Sequence, residues 1–126
     1  MTAAGVGGRP ARAEGGVLYV VPTPIGNLRD VTLRALDVLG SVDLIAAEDT
    51  RRTGQLLKLH GVERTGRMIS CHEHNEARRA EEMAAELSSG RSVALVTNAG
   101  TPTVSDPGFR AVRAAIEAGR RVEGLP

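Results

Sequence analysis

Ser92–Gly119 reads SVALVTNAGTPTVSDPGFRAVRAAIEAG. It divides into an unbroken apolar run, a loop of small residues with glycine and proline, a stretch with Phe109, Val112 and Ile116 on one helical face, and a closing glycine. A short continuous run rich in Val and Leu is how a strand buried on both faces reads. Apolar residues at three- and four-residue spacing mark an amphipathic helix. Asp106 is a good N-cap type, Pro107 suits a first helical position, and Gly119 suits the left-handed residue that closes a helix.

The same beat recurs in both directions. The other apolar runs are VLYVV from Val17, DLIAA from Asp43, RMISC from Arg67 and RVEGL from Arg121. Leu33, Leu36 and Leu39 share one helical face, as do Ala80, Met83 and Leu87, and Asn75 is a second N-cap candidate. Gly40, Gly61 and Gly90 stand where the remaining helical patterns stop. Strand and helix in alternation require right-handed crossovers and a parallel sheet. The fold class expected is α/β: an open, mainly parallel five-stranded sheet with flanking helices over residues 17–126. The first sixteen residues, MTAAGVGGRPARAEGG, are small and polar and read as a disordered tail. No helix follows the last apolar run, so the chain reads as the amino-terminal part of something longer.

Composition narrows the function. At 126 residues the chain has the length of one ordinary domain, enough for a real core without staples. The single cysteine, Cys71, makes no internal bridge and points to a reducing, cytoplasmic compartment. No apolar run has the length of a membrane span and no secretory signal stands at the start. With 16 basic against 15 acidic residues, bulk electrostatics do not recommend a nucleic-acid binder, so any polyanion contact is local. Only Lys58 among the basic residues is lysine; an arginine-rich surface suits phosphate, and codon bias gives the same composition. Tyr19 and Phe109 are the only aromatics, too few for a base-stacking platform.

Open parallel sheets place their chemistry at the carboxyl ends of the strands. The loops there are PTPIGNLRD, EDTRRT, HEHNE and NAGTPTVSDPG. In the last, Ala99 and Gly100 leave the backbone approachable, and Pro102 and Pro107 stiffen the path. This suits a small-molecule cradle, and a tight strand-to-helix connection would use the same residues for geometry alone. Pro22, Pro24 and Gly26 make the first loop rigid and uncrowded. That loop is neither a GxGxxG fingerprint nor a Walker A sequence. In the second, Glu48 follows an apolar run directly and is placed to take a proton or bind a ribose, while Asp49 fits a helix start with Thr50 as cap. Cys71, His72 and His74 lack the convergent fourth ligand of a zinc site, so no metal is expected and these residues read as polar lining of a cleft.

Taken in order, LYVVPTPIGNLRDVTLRALDVLGSVDLIAAEDTRRT, HEHNE and ALVTNAGTPTVSDPG resemble the ribosomal RNA small subunit methyltransferase I family of the tetrapyrrole methylase superfamily. The resemblance runs from about Val17 to Pro126. It implies methyl transfer from S-adenosylmethionine to the ribose 2′-hydroxyl of a cytidine in 16S ribosomal RNA, by a cytoplasmic homodimer whose second α/β domain is absent from this chain. It places Asn98, Ala99, Gly100 and Thr101 in the donor-binding loop, with Pro24 and Gly26 flanking the cleft. Arg29, Arg51 and Arg52 are candidates for RNA backbone contacts, and Glu48 is the candidate base. One departure is visible: the family reads SDAGTP where this chain has Thr97 and Asn98, an amide in place of an acid. Two other readings stand beside this one. One is carbon methylation of a tetrapyrrole such as a precorrin or uroporphyrinogen. The other is a folded, inactive fragment that at most binds or dimerises.

Overall fold

The computed structural model describes residues 12–24, 26–98 and 106–126. Five strands, β1 (Val17–Pro22), β2 (Leu44–Ala47), β3 (Arg67–Ser70), β4 (Val93–Thr97) and β5 (Arg121–Gly124), alternate with four helices, α1 (Leu33–Ser41), α2 (Thr50–Leu59), α3 (Glu76–Ser88) and α4 (Phe109–Glu117). All strand pairs are parallel, in the order β3-β2-β4-β1-β5. The chain thus runs outward from β1 to β3, then returns to insert β4 between β2 and β1. Right-handed crossovers in opposite directions put helices on opposite faces of a sheet.

The side chains record that rule. On β1, β2 and β4, alternate residues enter two separate cores. Val17, Tyr19, Val21, Ile45, Ala47, Ala94 and Val96 pack with α1 and α2, whereas Leu18, Leu44, Ala46, Val93 and Leu95 pack with α3 and α4. These strands are buried on both faces as expected. RMISC and RVEGL are not: β3 and β5 form the sheet edges and are largely half-exposed. An edge strand has a partner on one side only, so its side chains meet fewer neighbours.

Helix ends depart from expectation in instructive ways. Gly61, Gly90 and Gly119 have positive φ beyond their helices, but Gly40 lies inside α1, which ends at Ser41. Thr32, not singled out from the sequence, caps α1 by accepting from Ala35 N at 3.1 Å. Asp49 rather than Thr50 caps α2, accepting from Arg52 N at 2.9 Å. Asn75 holds the N-cap position of α3 without a side-chain cap bond; its Oδ1 accepts from His72 N at 2.8 Å and its amide turns back to Ser70. Pro107 is not the first residue of α4. Gly108 is the N-cap, and Phe109 N donates to Asp106 O at 3.1 Å. The inward face of α4 is Ala111 and Ala115, with Phe109 and Val112 half-buried and Ile116 61 % exposed, because small residues let the helix lie close against α3 and the sheet. On α1, Leu33 likewise points out while Ala35 and Val38 join Leu36 and Leu39 inside.

At the amino ends of the strands, Asp43 and Ser92 lock β2 to β4. Asp43 Oδ2 accepts from Ser92 N at 2.9 Å and Ser92 Oγ at 3.1 Å. Residues 12–16, grouped with the tail by composition, are tied to the domain: Ala13 N donates to Ser41 Oγ, Glu14 N to Tyr19 Oη, and Gly16 N to Arg91 O, each at 2.8 Å. The earlier tail residues lie outside the described ones.

Gly66 enters β3 with its Cα against the backbone of Asp43. A Cβ there would lie 2.3 Å from Asp43 O. Gly66→Ala is therefore expected to lower stability by about 1–3 kcal/mol through overpacking against main chain. Gly54→Ala, in α2 with nothing within 4 Å of its added Cβ, should raise stability by about 0.5–1 kcal/mol. Urea unfolding of the pair checks both signs.

Candidate functional site

Because α3 and α4 pack on the face of the sheet opposite α1 and α2, a crevice is expected above the carboxyl ends of the strands where the winding reverses, the usual ligand position in such sheets. A half-closed hollow there is lined by Glu48, Cys71, Leu95, Val96, Thr97, Asn98, Asp106, Pro107 and Gly108. It joins a broad open trough bounded by Pro24, Gly26, Glu48, Asp49, Thr50, Arg51, Arg52 and Asn98. Glu48 and Asn98 belong to both, and Asn98 Nδ2 donates to Glu48 Oε1 at 3.4 Å. The two residues sit at the ends of adjacent strands, β2 and β4, which accounts for a contact across 50 residues of sequence.

Of the residues singled out from the sequence, the structure brings together Pro24, Gly26, Glu48, Asn98, Arg51 and Arg52. Ala99, Gly100 and Thr101 lie outside the described residues. Arg29 and Arg51 are exposed. Arg52 is half-buried, and its Nη2 donates to Pro24 O at 3.0 Å and Gly26 O at 3.5 Å. The root of the first loop is held from the other side, where Thr23 N and Oγ1 both donate to Thr97 O, at 2.8 and 3.1 Å. Asp106, read from the sequence as a helix cap, lines the hollow instead. Its place in the PTVSDPG loop gave a location but no separate signal for that role.

The donor set is two carboxylates, Glu48 and Asp106, above an apolar floor of Leu95, Val96 and Pro107. Carboxylates favour a cationic centre and accept from hydroxyl or amino groups, and the floor suits a flat apolar ring. Among the described residues no group of three His, Cys, Asp or Glu is placed to hold a metal ion. His72 and His74 do not converge: His74 N donates to His72 Nδ1 at 3.3 Å, and the His74 side chain is 84 % exposed. Among the described residues no helix is long and apolar enough to cross a membrane.

The family model of the tetrapyrrole (corrin/porphyrin) methylases matches residues 17–126. Ribosomal RNA small subunit methyltransferase I of Escherichia coli O157:H7 is 56 % identical over 111 residues, 88 % of this chain and 38 % of that protein. The protein of the same name from Micromonospora olivasterospora is 50 % identical over 114 residues, 90 % of this chain and 36 % of its own length. A crystal structure of a conserved hypothetical protein from Aeropyrum pernix K1 shares the fold, with a TM-score of 0.64 at 22 % identity, over 90 % of this chain and 39 % of that one. The chain therefore spans well under half the length of the relatives it matches.

Cys71 forms part of the hollow's lining yet is 2 % exposed, with Sγ 3.8 Å from Pro107 O. Burial pushes its thiol up to about 11, helped by the charges of Glu76 and Glu48 and opposed by Arg79. A thiol held protonated is a poor nucleophile. Native protein at pH 8 should resist iodoacetamide over a time in which urea-unfolded protein is fully alkylated. The folded state keeps this proton more tightly than the unfolded chain, so the associated stability is fully present below about pH 9 and lost as pH rises toward 11. A thermal melt series across that window should fall faster for wild type than for Cys71→Ala.

Proposed function

The chain belongs to the tetrapyrrole (corrin/porphyrin) methylases, and from that premise we propose that it forms the amino-terminal lobe of an S-adenosylmethionine-dependent methyltransferase acting on the ribose 2′-hydroxyl of a cytidine in 16S ribosomal RNA. The observation that carries this reading is the coincidence of two things. Relatives named ribosomal RNA small subunit methyltransferase I are 48–56 % identical across nearly the whole domain. The crevice at the ends of β1, β2 and β4 also offers two carboxylates and an apolar floor, which suit a cationic sulfonium and a flat ring. A homodimer working in the cytoplasm is part of the proposal.

In this reading Asn98, with Ala99, Gly100 and Thr101, holds the donor over the apolar floor, and Pro24 and Gly26 flank it. Gly26 has φ of 91° and open space where a Cβ would stand, so its backbone is approachable from the trough. When bound, S-adenosylmethionine supplies an electrophilic methyl group on a positively charged sulfur. The protein's share of the work is positioning, since an in-line displacement needs the hydroxyl oxygen at near-attack distance behind the methyl carbon. Glu48 collects the hydroxyl proton as the oxygen–carbon bond forms, with the Asn98 amide fixing one of its oxygens. Arg51, exposed at the trough, and Arg29, exposed on the first loop, suit phosphate oxygens of the RNA.

The test is transfer of labelled methyl from S-adenosylmethionine to small ribosomal subunits by the whole protein, with the product nucleoside identified by mass spectrometry. Uroporphyrinogen runs beside it as the competing substrate. Methyl on the cytidine ribose is expected; methyl on the porphyrinogen, or on neither, overturns the proposal. Glu48→Gln should lower kcat by about 10²-fold, the lower end for loss of a general base. Asn98→Asp should move the acidic limb of the pH–rate profile to higher pH, because a second carboxylate replaces a donor beside Glu48 and one charge of the pair becomes harder to form.

A further inference from the structure

Arginine at the mouth of a site for a polyanionic substrate invites assignment to phosphate. The bonds of Arg52 argue otherwise. Asp49 caps α2 through Arg52 N, which sets the side chain in the first turn of the helix, beside the first loop. From there Nη2 reaches two main-chain oxygens of that loop, Pro24 O and Gly26 O. At the far end of the same helix, the C-cap residue His60 makes a second tie, its Nε2 lying 2.9 Å from Leu28 O and donating to it. Between these points Asn27 closes the loop on itself: its Oδ1 accepts from Arg29 N at 2.9 Å and its main-chain oxygen from Asp30 N at 3.1 Å. Leu28 and Val31 pack beneath, against the core formed with α1 and α2.

We infer that Arg52 is a positioning residue: with His60 it clamps the loop after β1 along α2 and so fixes the Pro24–Gly26 wall of the trough opposite Glu48 and Asn98. The inference rests on the functional reading above. A planar fork suits the task, since a guanidinium offers several N–H groups in a fixed array to carbonyls that would otherwise face water or the ligand. An ammonium at this place reaches fewer of them. Arg51, one residue earlier, points into solvent and keeps its charge for the substrate.

The clamp and the phosphate contact differ in three readouts on the whole protein. In hydrogen exchange, Arg52→Ala should speed the hydrogen-bonded amides of Arg29 and Asp30 by about tenfold, the equivalent of one charge-assisted bond, while β2 and β4 keep wild-type rates. In RNA binding, Arg51→Ala should reduce the slope of log K against log salt by about 0.7, one phosphate on single-stranded RNA, and Arg52→Ala should leave it unchanged. In methyl transfer, Arg52→Ala should lower kcat by up to about 10²-fold through misplacement of the wall, with KM for RNA little altered, and Arg52→Lys should recover part of the loss. Loop amides at wild-type rates in Arg52→Ala, or a salt slope reduced as in Arg51→Ala, overturn the inference. If the wild-type protein methylates no RNA, the functional reading fails instead, and the exchange experiment still decides whether the clamp exists.

Discussion

Strand β4 must satisfy main-chain hydrogen bonds on both of its sides, and it does so by entering between β2 and β1. Every other feature depends on that insertion. It reverses the direction of winding, sends α3 and α4 to the face opposite α1 and α2, and divides the interior into two cores with β4 lining both. The crevice lies at the carboxyl ends of the strands where the winding reverses, so its position follows from backbone pairing rather than from the chemistry of its lining.

The lining then uses the constraint. Glu48 and Asn98 meet because their strands are neighbours, and Thr23 finds Thr97 for the same reason on the other side. The sheet supplies a rigid base, and α2 supplies a strut through Arg52 and His60. One wall of the trough is thus held by strand ends and the other by side chains acting on main-chain oxygens. The Asn98 amide is a donor to Glu48 that an ionised acid in its place would lack.

The existence of each strand was readable because unbroken Val- and Leu-rich runs have few other uses in a short chain. Their rank in the sheet was not: RMISC and VLYVV look alike as strings, and only pairing order makes β3 an edge and β1 an interior strand. Helix faces were legible where large residues dominate, as at Met83 and Leu87, and misleading on α4, where alanines face inward. The cleft's general location followed from loop composition. The bonds of Arg52 were not legible, because nothing in EDTRRT distinguishes an arginine that grips a loop from one that faces solvent. That distinction lives in a contact across 28 residues of chain.

The pairing of β1 with β4 carries a kinetic consequence. Thr23 reaches Thr97 across 74 residues, and every partner of β1 is a strand formed after β3. During synthesis the VLYVVP segment therefore emerges with both edges unmatched and stays so until the β4 run has left the ribosome. Parallel sheets with such distant partners collapse late, since loop-closure entropy must be met before any ladder forms. A strand of the sheet's interior is thus the one exposed for longest while the chain is being made, which makes it the segment with the greatest need of chaperone cover.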